Sequence, residues 1–152
     1  MIFETKHVPI RVDELAPDGS EVRLLLKRPG GSMAHFRLEP GKCSSPVAHR
    51  TVDELWYVVG GAGELWRQRG ESEEITPLLS GVCVSIPAGV AFQFRTTGQE
   101  ALEFVAVTLP PWPGADEAQQ TQGCQAWGTS DQLLASEWHE RHEYGKTSNI
   151  EH

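Results

Sequence analysis

Turn residues cut this chain into short pieces, and that limits its fold more than any other feature. Pro17-Asp18-Gly19, Pro29-Gly30-Gly31, Glu39-Pro40-Gly41, Gly60-Gly61-Ala62-Gly63, Pro87-Ala88-Gly89 and Thr96-Thr97-Gly98-Gln99 recur at short intervals. The runs between them suit strands better than helices. Residues 21–27 read as one strand. Residues 32–38 alternate, with Ala34, Phe36 and Leu38 on one side and His35 and Arg37 on the other, the pattern of a half-buried strand. The strongest apolar run, 55–59, is rich in aromatic and β-branched residues, and 64–68 resumes after the glycines, so the two read as a hairpin. Residues 82–86, 92–95 and 101–109 add three more strands. Many short strands with regular turns predict an all-β sandwich or barrel rather than βαβ units.

The flanks differ from this middle. Residues 1–31 form an N-terminal segment and first strand, 32–109 the barrel core, and 110–152 a strap and tail. Pro110-Pro111-Trp112-Pro113-Gly114 cannot sit inside a sheet, because proline has no N–H for the ladder. It reads as a strap whose Trp112 plugs an apolar groove. Residues 130–144 predict a short C-terminal helix capped by Ser130 or Asp131, with Leu133, Leu134 and Trp138 on one face.

Composition excludes several function classes. The net charge is −8 and the 13 basic residues are scattered, which argues against nucleic acid. No apolar run approaches the ~20 residues that cross a bilayer, so no membrane partner is expected. The first residues lack a basic stretch followed by an apolar core, and the expected location is the cytoplasm. Cys43, Cys83 and Cys124 form no CxxC pair and are odd in number, which favours reduced, partly buried thiols.

Two segments carry motif spacing. Gly41, Val47, His49, Glu54 and Gly61 fall at the intervals of G-(X)5-H-X-H-(X)3,4-E-(X)6-G. Gly81, Pro87, Gly89, Phe92 and Thr96 fall at those of G-(X)5-P-X-G-(X)2-H-(X)3-N. Over about residues 32–109 the chain resembles the cupins, and it is similar to small bacterial cupins with Ala-His-Arg-Thr-Val near the first motif and Pro-Pro-Trp-Pro-Gly after the barrel. The resemblance implies a jelly-roll β-barrel, sheet-to-sheet pairing into a homodimer, and a site inside the barrel. In metal-binding cupins, two His and the Glu of the first motif and the His of the second converge on one divalent ion. Here Val47 and Phe92 replace two of the four. His49 and Glu54 alone are too few for a tight site, so neither metal nor other cofactor is expected. His35 or Cys43 as a third ligand is the alternative, against the commoner reading of a strand histidine and a bystander thiol.

Strand alternation sketches the interior. If Glu54 faces inward, so do Trp56 and Val58; if Phe92 does, Phe94 shares its face while Gln93 and Arg95 turn away. The following strand places either Glu64, Trp66 and Gln68 or Leu65, Arg67 and Arg69 inside. The candidate ligand pocket is therefore His49, Glu54, Trp56, Trp66, Phe92 and Phe94, suited to a small apolar or ring-bearing molecule. The opposing reading is that the aromatics only fill the barrel. An inward Glu54 needs a partner, from His49, Arg50, Arg95 or a ligand. Three functions follow. The first is a metal-free small-molecule-binding protein. The second is an enzyme, either a sugar isomerase or epimerase using His49 and Glu54 or a weakly metal-dependent oxygenase or lyase. The third is a structural protein with a closed core. His139 and His142 read as part of a solvated helix, and 60–63 as a turn rather than a phosphate loop.

Overall fold

The structure is a computed structural model and describes residues 3–127. The helix expected over 130–144 lies outside the described residues. Among the described residues eleven strands form two antiparallel sheets: β1 (Glu14–Leu15), β2 (Glu21–Arg28), β3 (Gly31–Leu38), β4 (Val47–His49), β5 (Asp53–Gly60), β6 (Ala62–Arg69), β7 (Ser72–Leu79), β8 (Cys83–Ile86), β9 (Ala91–Thr96), β10 (Leu102–Leu109) and β11 (Ala118–Gln120). One sheet runs β1-β2-β3-β10-β5-β8 and the other β11-β4-β9-β6-β7. This is a jelly-roll barrel.

Alternation decides which face each strand buries. In β5, Glu54, Trp56 and Val58 are buried while Asp53, Leu55, Tyr57 and Val59 are exposed. In β10, Leu102, Phe104, Ala106 and Thr108 are the buried set. The inner faces meet in an aromatic core. Trp56 stacks on Phe104 with ring centroids 3.8 Å apart, and Phe94 meets both rings edge-on at 5.1 and 5.4 Å. With Leu65, Leu102 and Val58 fully buried around them, these rings fill one end of the barrel.

The expected hairpin of 55–59 with 64–68 does not form. β5 pairs with β10 and β8, whereas β6 pairs with β9 and β7. Gly60-Gly61 is a corner at which the chain leaves one sheet for the other. Gly61 has φ +74°, and a Cβ there would stand 2.1 Å from the Ala101 carbonyl oxygen, so only glycine fits the crossing. Glycines signal a reversal in both cases, and the sequence does not say whether the returning strand stays in its own layer.

Four strands carry no clear signal, the two-residue β1 among them. β7 holds Glu73, Glu74 and Pro77 and is mostly exposed; as the edge of its sheet it tolerates a proline. β4 and β11 have three residues each and pair with one another. Past Leu109 the chain thus crosses to the five-stranded sheet, where β11 extends its edge. Residues 121–127 then cover the outer face of that sheet, where Trp66, Cys124 and Trp127 form a second buried cluster.

Candidate functional site

The end of the barrel away from Phe94 and Phe104 holds a cavity of about 380 Å3. β4 brings His49 to its wall from the five-stranded sheet and β5 brings Glu54 from the six-stranded one, the two strands being linked by residues 50–52. His49 is 5% exposed and Glu54 4%. His49 Nδ1 lies 3.1 Å from Glu54 Oε2, but out of line, so Nδ1 is buried without a hydrogen bond. The Trp56 indole N–H donates to Glu54 Oε1 at 2.9 Å. Phe92 and Trp112 meet the His49 ring edge-on, with centroids 5.1 and 5.0 Å away. Trp112 closes one side of the cavity, tethered by its backbone N–H to Ser32 Oγ at 2.9 Å, and Ser32 in turn bonds Thr108.

Burial sets the protonation of the pair. Desolvation pushes the His49 pKa down to about 4, against the Glu117 charge that would raise it. It pushes Glu54 up to about 8, helped by the nearby Asp18 charge and opposed by the Trp56 hydrogen bond. Near neutral pH the contact is therefore a neutral imidazole beside a largely protonated carboxyl, not an ion pair. Such a pair holds one proton acceptor and one proton donor at the same point.

Two further buried carboxyls bear on the site, one on the cavity wall and one behind it, and sequence reasoning missed both. Asp18, 7% exposed, lines the cavity. Burial raises its pKa, although Oδ1 accepts bonds from the Ser20 backbone N–H and hydroxyl. Its sequence signal, Pro-Asp-Gly, reads only as a turn. Glu117, also buried, accepts from Thr51 N–H, Thr51 Oγ1 and Val52 N–H. Against desolvation, these bonds hold its carboxyl below the usual range. It clamps the loop between His49 and Glu54, and no motif marks it.

The wider set of expected residues separates. Trp56 and Phe92 line the cavity with His49 and Glu54. Phe94 faces inward but lies in the filled end, packed on Trp56 and Phe104, and does not reach the cavity. Trp66 is on the outer face of β6, its indole N–H donating to Glu73 at 3.2 Å, because Leu65 takes the inward position. Arg95 pairs with Glu64 at 2.8 Å on that outer face, and Arg50 is exposed, so neither serves Glu54. His35 faces away from the cavity, 3.6 Å from Glu103, and Cys43 packs against the Trp66 cluster. Among the described residues no group of three His, Cys, Asp or Glu is placed to hold a metal ion.

Residues 34–108 match the model of the cupin domain family. The chain belongs to the cupin superfamily. No curated protein matches its sequence. Solved structures similar to this cupin include KdgF from Halomonas sp., 18% identical with TM-score 0.56, covering 66% of this chain and 87% of that one. The capsular polysaccharide assembling protein CapF from Staphylococcus aureus is 18% identical with TM-score 0.62, covering 78% of this chain and 32% of that one. CENP-C of Drosophila melanogaster, bound to CAL1, is 14% identical with TM-score 0.55, covering 60% and 71%. At these identities the likeness concerns the fold. No helix of the described residues is long and apolar enough to cross a membrane.

Proposed function

We propose that this cupin binds a small molecule in the cavity beside His49 and Glu54 and carries no resident metal. The observation that carries the reading is a cavity of about 380 Å3 lined by both His49 and Glu54, with His49 Nδ1 buried there and without a hydrogen bond. Pockets of that size accept metabolite-sized ligands, and few polar groups on aromatic walls suit a ring or apolar body. The missing metal ligands support the metal-free half: Val47 and Phe92 are direct cross-strand partners, an apolar pair in the cavity wall. Fold does not choose the function, since similar barrels occur in a capsular polysaccharide assembling protein and in a CENP-C bound to CAL1.

The test is a ring-bearing compound series followed by tryptophan fluorescence, since Trp56 and Trp112 line the cavity. Ligands are expected to change the emission, and Ala106→Leu, which fills the cavity, to abolish the response. A closed, inert interior would give no response in either protein. Elemental analysis of the purified protein is expected to find no stoichiometric iron, nickel, manganese or zinc; one equivalent lost in His49→Ala would overturn the metal-free reading.

A second reading is favoured by the opposed protonation of His49 and Glu54. A neutral base beside a neutral acid supports an isomerase or epimerase acting on a sugar-like substrate. Solvent deuterium would then enter the substrate at the abstracted position, and His49→Ala and Glu54→Gln would each stop the exchange. The exposed face of the six-stranded sheet supports a homodimer, with Tyr57 52% exposed beside exposed Leu55, Val59 and Met33. Sedimentation near the 16.8 kDa monomer mass at micromolar concentration would count against it.

A further inference from the structure

Asp18 and Glu54 bring two buried carboxyl groups to one cavity, and among the described residues neither forms an ion pair with lysine or arginine. The two are near enough for the Asp18 charge to act on Glu54. Asp18 Oδ1 takes both Ser20 bonds, and among the described residues none donates to Oδ2. The remaining titratable groups on the cavity wall are His49 from β4, Glu14 from β1 and Lys27 from β2. Glu14 and Lys27 are exposed, so they stand at the mouth, where water screens them. The inner site thus has two acids, one unbonded imidazole nitrogen and no positive charge.

That arrangement selects ligands by charge. An anionic ligand would bring a third acid into a site of low dielectric with no buried cation to meet it. A neutral ligand would leave the two carboxyls with no cation to stabilise their ionised forms, and burial then keeps Glu54 protonated. A cation supplies what is missing, and where it is an amine its N–H groups also find an acceptor in His49 Nδ1. The walls suit the rest of such a molecule, because Trp56, Phe92 and Trp112 surround this point and aromatic rings attract a cation within ~6 Å. We infer that the cavity takes a small organic cation, an amine or quaternary ammonium on an apolar or ring-bearing body. Its charge is held between Asp18 and Glu54, and its body lies against Trp56, Phe92 and Trp112. This inference rests on the cavity being a ligand site.

The experiment titrates the full chain with benzyltrimethylammonium, benzylamine, benzyl alcohol and benzoate at one ionic strength, by calorimetry and tryptophan fluorescence. Both cations are expected to bind at least tenfold more tightly than benzyl alcohol, and benzoate not at all. Glu54→Gln and Asp18→Asn should each weaken the cations at least tenfold while leaving benzyl alcohol within twofold of wild type. If Asp18→Asn fails to fold because the Ser20 turn is lost, Glu54→Gln decides alone, since glutamine can still accept the Trp56 bond. Benzyl alcohol or benzoate binding as tightly as the cations, or cation affinity unmoved by Glu54→Gln, overturns the inference and leaves the ligand cavity standing. If none of the four binds and Ala106→Leu leaves the tryptophan emission unchanged, the cavity reading falls and the cation with it.

Discussion

Glu54 and His49 respond to pH in opposite directions, because the same burial disfavours the charged form of each. The Glu54 pKa rises from 4.5 unfolded to about 8 folded, so its stabilising contribution is full below pH 4.5 and gone above 8. The His49 pKa falls from 6.5 to about 4, so its contribution is full above pH 6.5 and lost toward 4. Between pH 4.5 and 6.5 the two offset each other. From pH 6.5 to 8 only the loss from Glu54 remains, and stability is expected to fall by roughly 1 kcal/mol per pH unit. Asp18, raised by burial as well, acts in the same direction. Urea unfolding across this range checks it: Glu54→Gln should flatten the slope, and a flat wild-type curve would refute the argument. Glu117 gives a second prediction at this scale. Its carboxylate accepts bonds from Thr51 and Val52, so Glu117→Ala should lose about 2–3 kcal/mol, read as a lower urea midpoint. His49, Glu54 and Phe92 were legible in the sequence because motif spacing fixes them relative to turns. Asp18 and Glu117 were not, since each becomes a site residue only when a distant segment folds back onto β4 and β5.

At the scale of elements, β4 and β9 explain why the metal set is broken. Val47 lies directly opposite Phe92, so the two replaced positions pack on each other beside His49. Phe92→His would give His49 and Glu54 a third protein donor, and Val47→His with Phe92→His a fourth. The single variant is expected to gain measurable nickel or zinc affinity and the double variant at least tenfold more, by calorimetry on folded protein. Folded variants that take up no metal would show that His49 and Glu54 do not point to a common centre with these positions. Strands β5 and β10 were legible because each buries one face against the core and exposes the other, which writes a period of two into the residues. β7 was not, because an exposed edge strand needs no such pattern. The Gly60-Gly61 corner shows a different limit: a turn signal says where the chain bends but not which layer it joins next.

For the whole molecule, the outer face of the six-stranded sheet matters most. Leu55, Tyr57 and Val59 project from β5 there, beside Val105 and Val107 of β10 in the paired register. Tyr57→Lys should turn a dimer into a monomer in sedimentation and leave the cavity, on the other face of the strand, with unchanged ligand response. A monomeric wild type would remove the basis for that variant. The all-β class and the barrel were readable from turn spacing and the two motifs together, while the crossing of the chain after Leu109 to pair β11 with β4 depends on contacts far apart in sequence.

Trp56 stands where the two ends of the barrel meet. Its ring stacks on Phe104 in the packed end, and its indole N–H holds Glu54 in the hollow end. Natural variation can therefore act on the two ends almost separately. Replacements around Phe94, Phe104 and Leu65 would trade in melting temperature, whereas replacements around His49, Asp18 and Phe92 would trade in what the molecule recognises. Trp56 is answerable to both, as is Phe36, which stacks on Phe104 and also lines the cavity, so descendants of this chain that acquire new ligands should change most of the cavity wall before they change either residue.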